Sequence, residues 1–310
     1  MDDFPRDLGE FERRFATAEA CRLYLAQLRW RDGFRCPRCG GGKAWPAGGG
    51  RLWHCAACGR QTSVTAGTIF HDTRQPLTMW FRAMWAVTNQ KTGVSALGLQ
   101  RALGLRSYKT AWAWAHKLRR AMVRPGRDRL RGYVEVDEAY VGGVHPGRRG
   151  RQTESQALVA VAVEVDGPRL GRIRLRRIVN ASAKSLMPFV QEAIETGSRV
   201  HTDGFLGYEP LRRHGFKHRI TFLEGQSRAP SQLLPHVHRV VSLLKRWLLG
   251  THHGAATHEH LDYYLDEFTF RFNRRRSAAR GKLFFRLVEQ AVAVAPAPYE
   301  SLVRYARMSP

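Results

Sequence analysis

The 310-residue chain is short of acid: 26 Asp and Glu stand against 51 Lys and Arg, a formal charge of +25. It is also short of lysine, with 8 against 43 arginines. No run of about 18 apolar residues occurs, so no membrane-spanning helix is expected. The opening Met1-Asp2-Asp3-Phe4-Pro5 is acidic and has no apolar stretch behind it, so no secretory signal is expected either. No segment repeats at a fixed period and none is low in complexity, which excludes a solenoid. What remains is 43% hydrophobic and 10% aromatic, enough for a sizeable core and too much for a disordered basic tail. The length leaves room for two or three domains.

Such an excess of positive charge calls for a polyanion. Duplex DNA or RNA is the natural one, because each Lys or Arg that meets a phosphate releases a condensed counterion. Arginine outnumbering lysine points to some coding bias, yet the acids have not risen to match. An anionic membrane surface would want a basic amphipathic helix with bulky apolar residues opposite, and none stands out.

Cysteine is scarce, with five residues, and four of them are patterned. Cys36-Pro-Arg-Cys39 and Cys55-Ala-Ala-Cys58 are separated by fifteen residues, the spacing of a zinc ribbon with one tetrahedral ion. Each pair sits on one tight turn, and Gly40 and Gly59 follow to permit a positive φ. A short hairpin lies between glycine runs, and Trp45 and Trp53 are candidates to cover the site. Disulfides would need an oxidising compartment. Four thiolates close the coordination sphere, so this metal is structural. His54 reads as a surface histidine beside Cys55, and Cys21 as a buried thiol inside a helix.

The periodicity predicts a helix from Leu8 to about Arg31, with Phe11, Phe15, Leu23, Leu25 and Leu28 toward the core, and a buried helix over Leu77–Thr88. Ser95 then caps a helix over Ala96–Leu103 that Gly104 closes, and Ser107 caps a second helix carrying Thr110, Trp112, Trp114, Lys117 and Arg119. This is a helix-turn-helix pattern, with an ordinary helical hairpin in a linker domain as the alternative. In the first case Tyr108, Lys109 and Thr110 stand where side chains reach base edges.

From Tyr133 the pattern turns to strands: Tyr133–Val141 alternates with period two, Ala157–Val165 and Leu170–Val179 follow, and Asp166-Gly167 makes a hairpin turn. A helix over Ser182–Glu195, a strand near Arg199–His201, a helix near Phe205–His214, a strand near His218–Thr221 and two helices, Val237–Leu249 and His258–Asn273, complete a mixed α/β domain. Asp137 lies inside the first strand, where a charge needs a partner or a metal. Asp203 lies where a short strand ends, before Gly204. A third ligand is expected from the following helix: thirty-five residues on from Asp203 stands His238, and seven further, on the same helix face, Lys245.

Several motifs carry a resemblance over nearly the whole chain. They are Val134-Glu135-Val136-Asp137-Glu138 with Tyr140-Val141-Gly142-Gly143, His201-Thr202-Asp203-Gly204, Ser242-Leu243-Leu244-Lys245-Arg246-Trp247, Tyr264-Leu265-Asp266-Glu267-Phe268 running on to Arg275, and Thr65-Ala66-Gly67-Thr68-Ile69-Phe70. The chain resembles a bacterial insertion-sequence transposase of the DDE superfamily, in the branch with an N-terminal zinc ribbon. The resemblance implies an N-terminal helix plus four-cysteine ribbon over 1–75, a helical helix-turn-helix region over 76–127, and a ribonuclease H-like mixed-sheet catalytic domain over 128–295. It implies two Mg²⁺ (or Mn²⁺) ions held by Asp137, Asp203 and His238. His238 stands where the superfamily usually has glutamate, a place in which this branch admits Asn or His. Lys245 matches a lysine that contacts the DNA backbone near the cut. Glu224, Asp262, Asp266 and Glu267 are alternative carboxylates.

Carboxylates suit Mg²⁺ and an imidazole shifts the preference toward Mn²⁺. Phosphate contacts are expected from the loop of Arg148, Arg149 and Arg151, the strand of Arg172, Arg174, Arg176 and Arg177, Arg246 on the third-ligand helix, and Arg271 with Arg274–Arg276. The implied partners are double-stranded DNA, at element ends and target, and further copies of the chain on DNA. Neither a membrane nor a small-molecule substrate is implied, and the expected location is the cytoplasm, with the nucleoid. A zinc-ribbon regulator with a non-catalytic α/β domain, and a non-transposing ribonuclease H-like nuclease, fit the same residues less fully.

Overall fold

The computed structural model of the chain describes residues 3–124, 126–142, 156–222, 230–253 and 260–308. It divides into two compact units, Met1–Arg124 with Arg276–Val303, and Pro125–Arg275 with Arg304–Pro310. Among the described residues no helix is long and apolar enough to cross a membrane.

The first unit opens with two helices where the sequence pattern suggested one: α1 (Leu8–Arg14) and α2 (Ala18–Arg29). The apolar spacing runs on through the break, but Thr17 interrupts it by accepting the Ala20 N–H, an N-cap that starts α2 afresh. Phe11, Phe15 and Leu25 are buried as expected, whereas Leu23 is exposed. A three-stranded antiparallel sheet follows, β1 (Ala44–Ala47), β2 (Leu52–Cys55) and β3 (Gln61–Ser63). Then come α3 (Leu77–Asn89), α4 (Ala96–Leu103) and α5 (Tyr108–Arg120). The α4–α5 turn is built as its caps dictate: the Ser95 hydroxyl accepts the Gly98 N–H at 3.0 Å, and Gly104 ends α4 with φ +63.

The second unit carries β4 (Tyr133–Val141), β5 (Ala157–Asp166), β6 (Arg169–Ile178), α6 (Ala183–Ala193), β7 (Arg199–Thr202), a 3₁₀ helix (Leu206–His214), β8 (Lys217–Ile220), α7 (Pro230–Leu233), α8 (Pro235–His252) and α9 (Leu261–Asn273). The sheet order is β6-β5-β4-β7-β8, with β4, β5 and β6 antiparallel and β7 and β8 parallel to β4. This is the ribonuclease H-like mixed sheet expected from the sequence. Strand alternation sorts its two faces: Val134 and Val136 pack with Leu186, Phe189 and Val190 of α6, while Val159, Val161 and Val163 pack with α8 and α9. The edge strand β6 is closed by the end of α9. Asn273 Oδ1 accepts the Ile173 N–H at 2.7 Å and its Nδ2 donates to Ile173 O at 3.2 Å, occupying backbone groups that would otherwise be open to another chain.

The chain then returns to the first unit as α10 (Arg280–Ala291) and ends in α11 (Tyr299–Met308). Phe284 of α10 enters an aromatic core with Phe11, Phe15, Phe81 and Trp85, its ring 5.3 Å from Phe11 and 5.7 Å from Phe81. The stretch Arg276–Val303 thus lies with the first unit, where the apolar face of α10 is buried beside α2 and α3.

Candidate active site

Asp137 lies at the middle of β4, on the face it shares with Glu135. The neighbouring β7 runs parallel, pairing Tyr133 with Arg199 and Glu135 with His201. Continuing that register by two residues sets Asp203, just past the end of β7, beside Asp137. Asp203 is oriented by its own turn, in which Oδ1 accepts the Phe205 N–H at 2.9 Å. His238, in the first turn of α8, comes over the same face, its Nε2 3.7 Å from Asp137 Oδ2. That nitrogen is buried and has no hydrogen-bond partner.

The electrostatics match. Burial, then Glu138 beside it and Asp203 and Glu135 nearby, push the Asp137 carboxyl up to about 7, against one backbone N–H that favours its charge. Burial holds His238 below the usual imidazole range, while Glu135 and Asp203 pull it back up. The site thus concentrates negative charge on partly buried groups, an arrangement that a divalent cation relieves. The three donors are spread more widely than a single tetrahedral cluster. Among the described residues, only the four ribbon cysteines bring three or more donor atoms within 4.8 Å of one another.

Two glutamates of β4 frame the aspartate. Glu135, nearly fully buried, accepts the N–H groups of His236 and Val237 at 2.8 and 2.9 Å and meets His236 Nδ1 at 2.7 Å. On the opposite face, Glu138 accepts the Tyr208 hydroxyl at 2.7 Å. The sequence reading passed over both roles, although the two-residue spacing of Glu135 and Asp137 already put them on one face.

In the ribbon, Cys36 Sγ lies 3.6 Å from Cys58 Sγ, and Cys39 Sγ 3.6 Å from Cys55 Sγ. These separations are far too long for disulfides. They match the edge of a tetrahedron built on Zn–S bonds of about 2.3 Å. Gly40 and Gly59 take φ +72 and +68, donating their N–H groups to Cys36 O and Cys55 O. Backbone N–H groups of Cys39 and Arg38 draw the Cys36 thiol down to about 6, while Cys39, against the pull of the Gly41 N–H, is pushed up to about 12 by the Cys58 and Cys55 sulfurs, the mutual repulsion of thiolates gathered around one point. Trp53 packs over this cluster, but Trp45 is exposed and stacks on His54.

The expected DNA contacts fall into two sets. Tyr108 and Lys109 are exposed at the start of α5, Thr110 is half-buried, and Lys245 and Arg246 are exposed on α8. Arg148, Arg149, Arg151 and Glu224 lie outside the described residues. Arg274 and Arg275 have internal partners: their guanidinium groups sit 4.1 and 4.0 Å above the rings of Phe270 and Phe272, and Arg275 also donates to Gly171 O at 3.1 Å.

Four of the β6 arginines, Arg172, Arg174, Arg176 and Arg177, expected to follow phosphates, are likewise engaged within the unit. Arg172 forks onto Glu164 at 2.8 and 2.9 Å, Arg174 is buried against the Asp128 carbonyl, Arg176 pairs with Glu192, and Arg177 with Asp262 at 3.2 Å. The acids that neutralise them come from other elements and are invisible to a strand-local reading. Asp262 and Glu267 are therefore ion-pair partners, the latter of Arg271 at 2.9 Å.

A mixed sheet with two carboxylates at neighbouring strands and a histidine on the following helix, in a chain that also carries a four-cysteine ribbon, agrees with the DDE-transposase resemblance of the sequence. Residues 129–273 match the ISXO2-like transposase domain and residues 16–61 the transposase zinc-ribbon domain. Together the two matches make the chain similar to insertion-sequence transposases that carry such a ribbon. It is also similar to a protein of transposable element ISH50 of Halobacterium salinarum, at 27% identity over 278 residues, covering 84% of this chain and 92% of that one.

Proposed function

We propose that the protein binds the terminal inverted repeats of its own insertion sequence, cleaves DNA strands there, and joins the 3′-hydroxyl ends to target DNA with the help of two divalent cations. The observation that carries this reading is the gap between His238 and Asp137. A buried, unpartnered ring nitrogen 3.7 Å from a half-buried carboxylate is costly to the fold, by about 1–3 kcal/mol for such a group. A cation between them satisfies both. The donor set of two carboxylates and one imidazole fits Mg²⁺ and tolerates Mn²⁺. When bound, such ions activate the attacking oxygen and relieve charge on the leaving one.

The chain's own side chains then have distinct tasks. Asp137 and Asp203 present carboxylates from neighbouring strands, and His238 closes the set from α8. Lys245, two helical turns beyond His238, contacts the phosphate backbone near the cut, and Arg246, Arg148 and Arg149 supply further phosphate contacts. Tyr108, Lys109 and Thr110 at the start of α5 read base edges in the terminal repeat. One zinc ion in the ribbon holds that module in shape, and copies of the chain assemble on double-stranded DNA in the cytoplasm.

A strand-transfer assay on the DNA flanking the gene tests this. Asp137→Asn and Asp203→Asn should each abolish cleavage and joining while leaving duplex binding intact. Turnover in EDTA, or wild-type rates in either variant, would refute the assignment. Activity should appear with Mg²⁺ and be equal or higher with Mn²⁺.

A further inference from the structure

The arginines of β6 and the cations of β7 and β8 have opposite surroundings. Arg172, Arg174, Arg176 and Arg177 of β6 each have an internal acid or carbonyl. Arg199, Lys217 and Arg219 are exposed, and with Arg212 of the 3₁₀ helix they have no ion pair among the described residues. Arg199 and Lys217 are direct partners in the parallel β7–β8 pairing, on strands about 4.8 Å apart. Two like charges held opposite one another destabilise a sheet unless an anion joins them.

Strand alternation puts Arg199, Lys217 and Arg219 on the face that also carries Tyr133, Glu135 and Asp137. The apolar cluster under α8 and α9 takes its strand residues from β4, β5 and β6 and none from β7 or β8. A concavity of about 500 Å³ opens beside Arg199, Arg212, Lys217 and Arg219. A second, of about 560 Å³, shares Arg199 and Lys217 and adds Arg131, with Glu195 the one acid in its lining. Along β7 the same face leads from Arg199 through His201 to Asp203. Four residues at about 3.3 Å each make this ~13 Å, the rise of about four nucleotides of one duplex strand.

We propose that this open half of the sheet is a track for the phosphate backbone of duplex DNA, carried by Arg199, Lys217, Arg219 and Arg212, delivering the strand to the Asp137–Asp203 site. The proposal rests on the DNA-cleaving reading above, and names a contact surface which that reading does not require.

The test uses the full-length, zinc-loaded protein with Lys217→Gln/Arg219→Gln, and with Lys217→Gln/Arg212→Gln as a second pair that spares the contact of Arg219 with Tyr133. Binding to an element-end duplex and to an unrelated duplex is followed by fluorescence anisotropy across a KCl series. Each lost phosphate contact should lower the log–log salt slope by about 0.9. Each pair should therefore lose nearly two units of slope and bind at least about tenfold more weakly, equally for both duplexes, with the melting temperature unchanged or raised. Wild-type slopes in both pairs overturn the track. Weakening confined to the element-end duplex also overturns it, since those residues would then be reading sequence. A wild-type protein that binds neither duplex sinks the functional reading itself rather than this surface alone.

Discussion

Glu135 holds His236 twice, accepting its backbone N–H at 2.8 Å and meeting its ring Nδ1 at 2.7 Å. With the Val237 N–H at 2.9 Å, a strand carboxylate does the work of a helix cap. The first turn of a helix has four N–H groups without internal partners, and Leu234, at the N-cap of α8, has no side chain able to accept one. A negative charge also suits that end of the helix dipole. Glu135 is thus the tie between the strand bearing Asp137 and the helix bearing His238.

Breaking this tie should lower stability and loosen the metal site together. Glu135→Ala leaves buried N–H groups unmet and should cost about 3 kcal/mol or more in urea unfolding. Glu135→Gln keeps one acceptor oxygen and loses the charge, for about 1 kcal/mol. Strand transfer should need more Mn²⁺ in both variants, in that order. Unchanged unfolding in Glu135→Ala would show that the tie does not hold α8.

The ribbon makes a narrower prediction at Gly41. A Cβ there would sit 3.3 Å from Cys39 Sγ and 3.4 Å from Cys55 Sγ, crowding two ligands at once. Gly41→Ala should therefore weaken zinc binding about tenfold or more in a competitive chelator titration, without altering the set of four thiolate ligands. Cobalt-substituted protein should keep a tetrahedral thiolate spectrum. Equal zinc affinity in the variant would mean that the sulfurs yield freely.

Asp266 on α9 gives a pH signature. Burial pushes its carboxyl up to about 7, with Arg127 pulling the other way. The folded chain keeps a proton there that the unfolded chain releases near pH 4. Stability from this group is fully present below about pH 4 and is lost as pH rises through about 7. Asp266→Asn removes the charged form, so it should raise the melting temperature at pH 8, by the equivalent of about 1–3 kcal/mol, and change little at pH 4. A variant equally stabilised at both pH values would place the effect elsewhere.

What the sequence made legible follows from how local each signal is. The nine-residue alternation of Tyr133–Val141 and the Ser95 and Gly104 caps are complete within their own segments, and they appear with the expected bounds. The two C-x-x-C knuckles likewise specify their own turns. By contrast, β7 has four residues and too little alternation to announce that Asp203 lies beside Asp137. That relation is set by parallel pairing across more than sixty intervening residues. Whether an arginine meets an acid is equally non-local: Arg177 and Asp262 are 85 positions apart. The break between α1 and α2 escaped because Phe15 and Leu25 continue a helical apolar stripe through it, and one threonine side chain decides the matter.

His238 offers the sharpest test of the metal assignment. Its Nε2 faces Asp137 Oδ2 across 3.7 Å, and the carboxylate of a glutamate in its place would reach into the same gap with a harder donor. His238→Ala should lose about a hundredfold or more in strand transfer with either ion, since one of three ligands is gone. His238→Glu should recover much of that loss with Mg²⁺ and less with Mn²⁺, lowering the Mn²⁺/Mg²⁺ activity ratio below that of the wild type, because imidazole prefers the softer ion and carboxylate the harder one. A ratio unchanged between the wild type and His238→Glu would mean that this side chain does not touch the cation, and that another residue completes the set begun by Asp137 and Asp203.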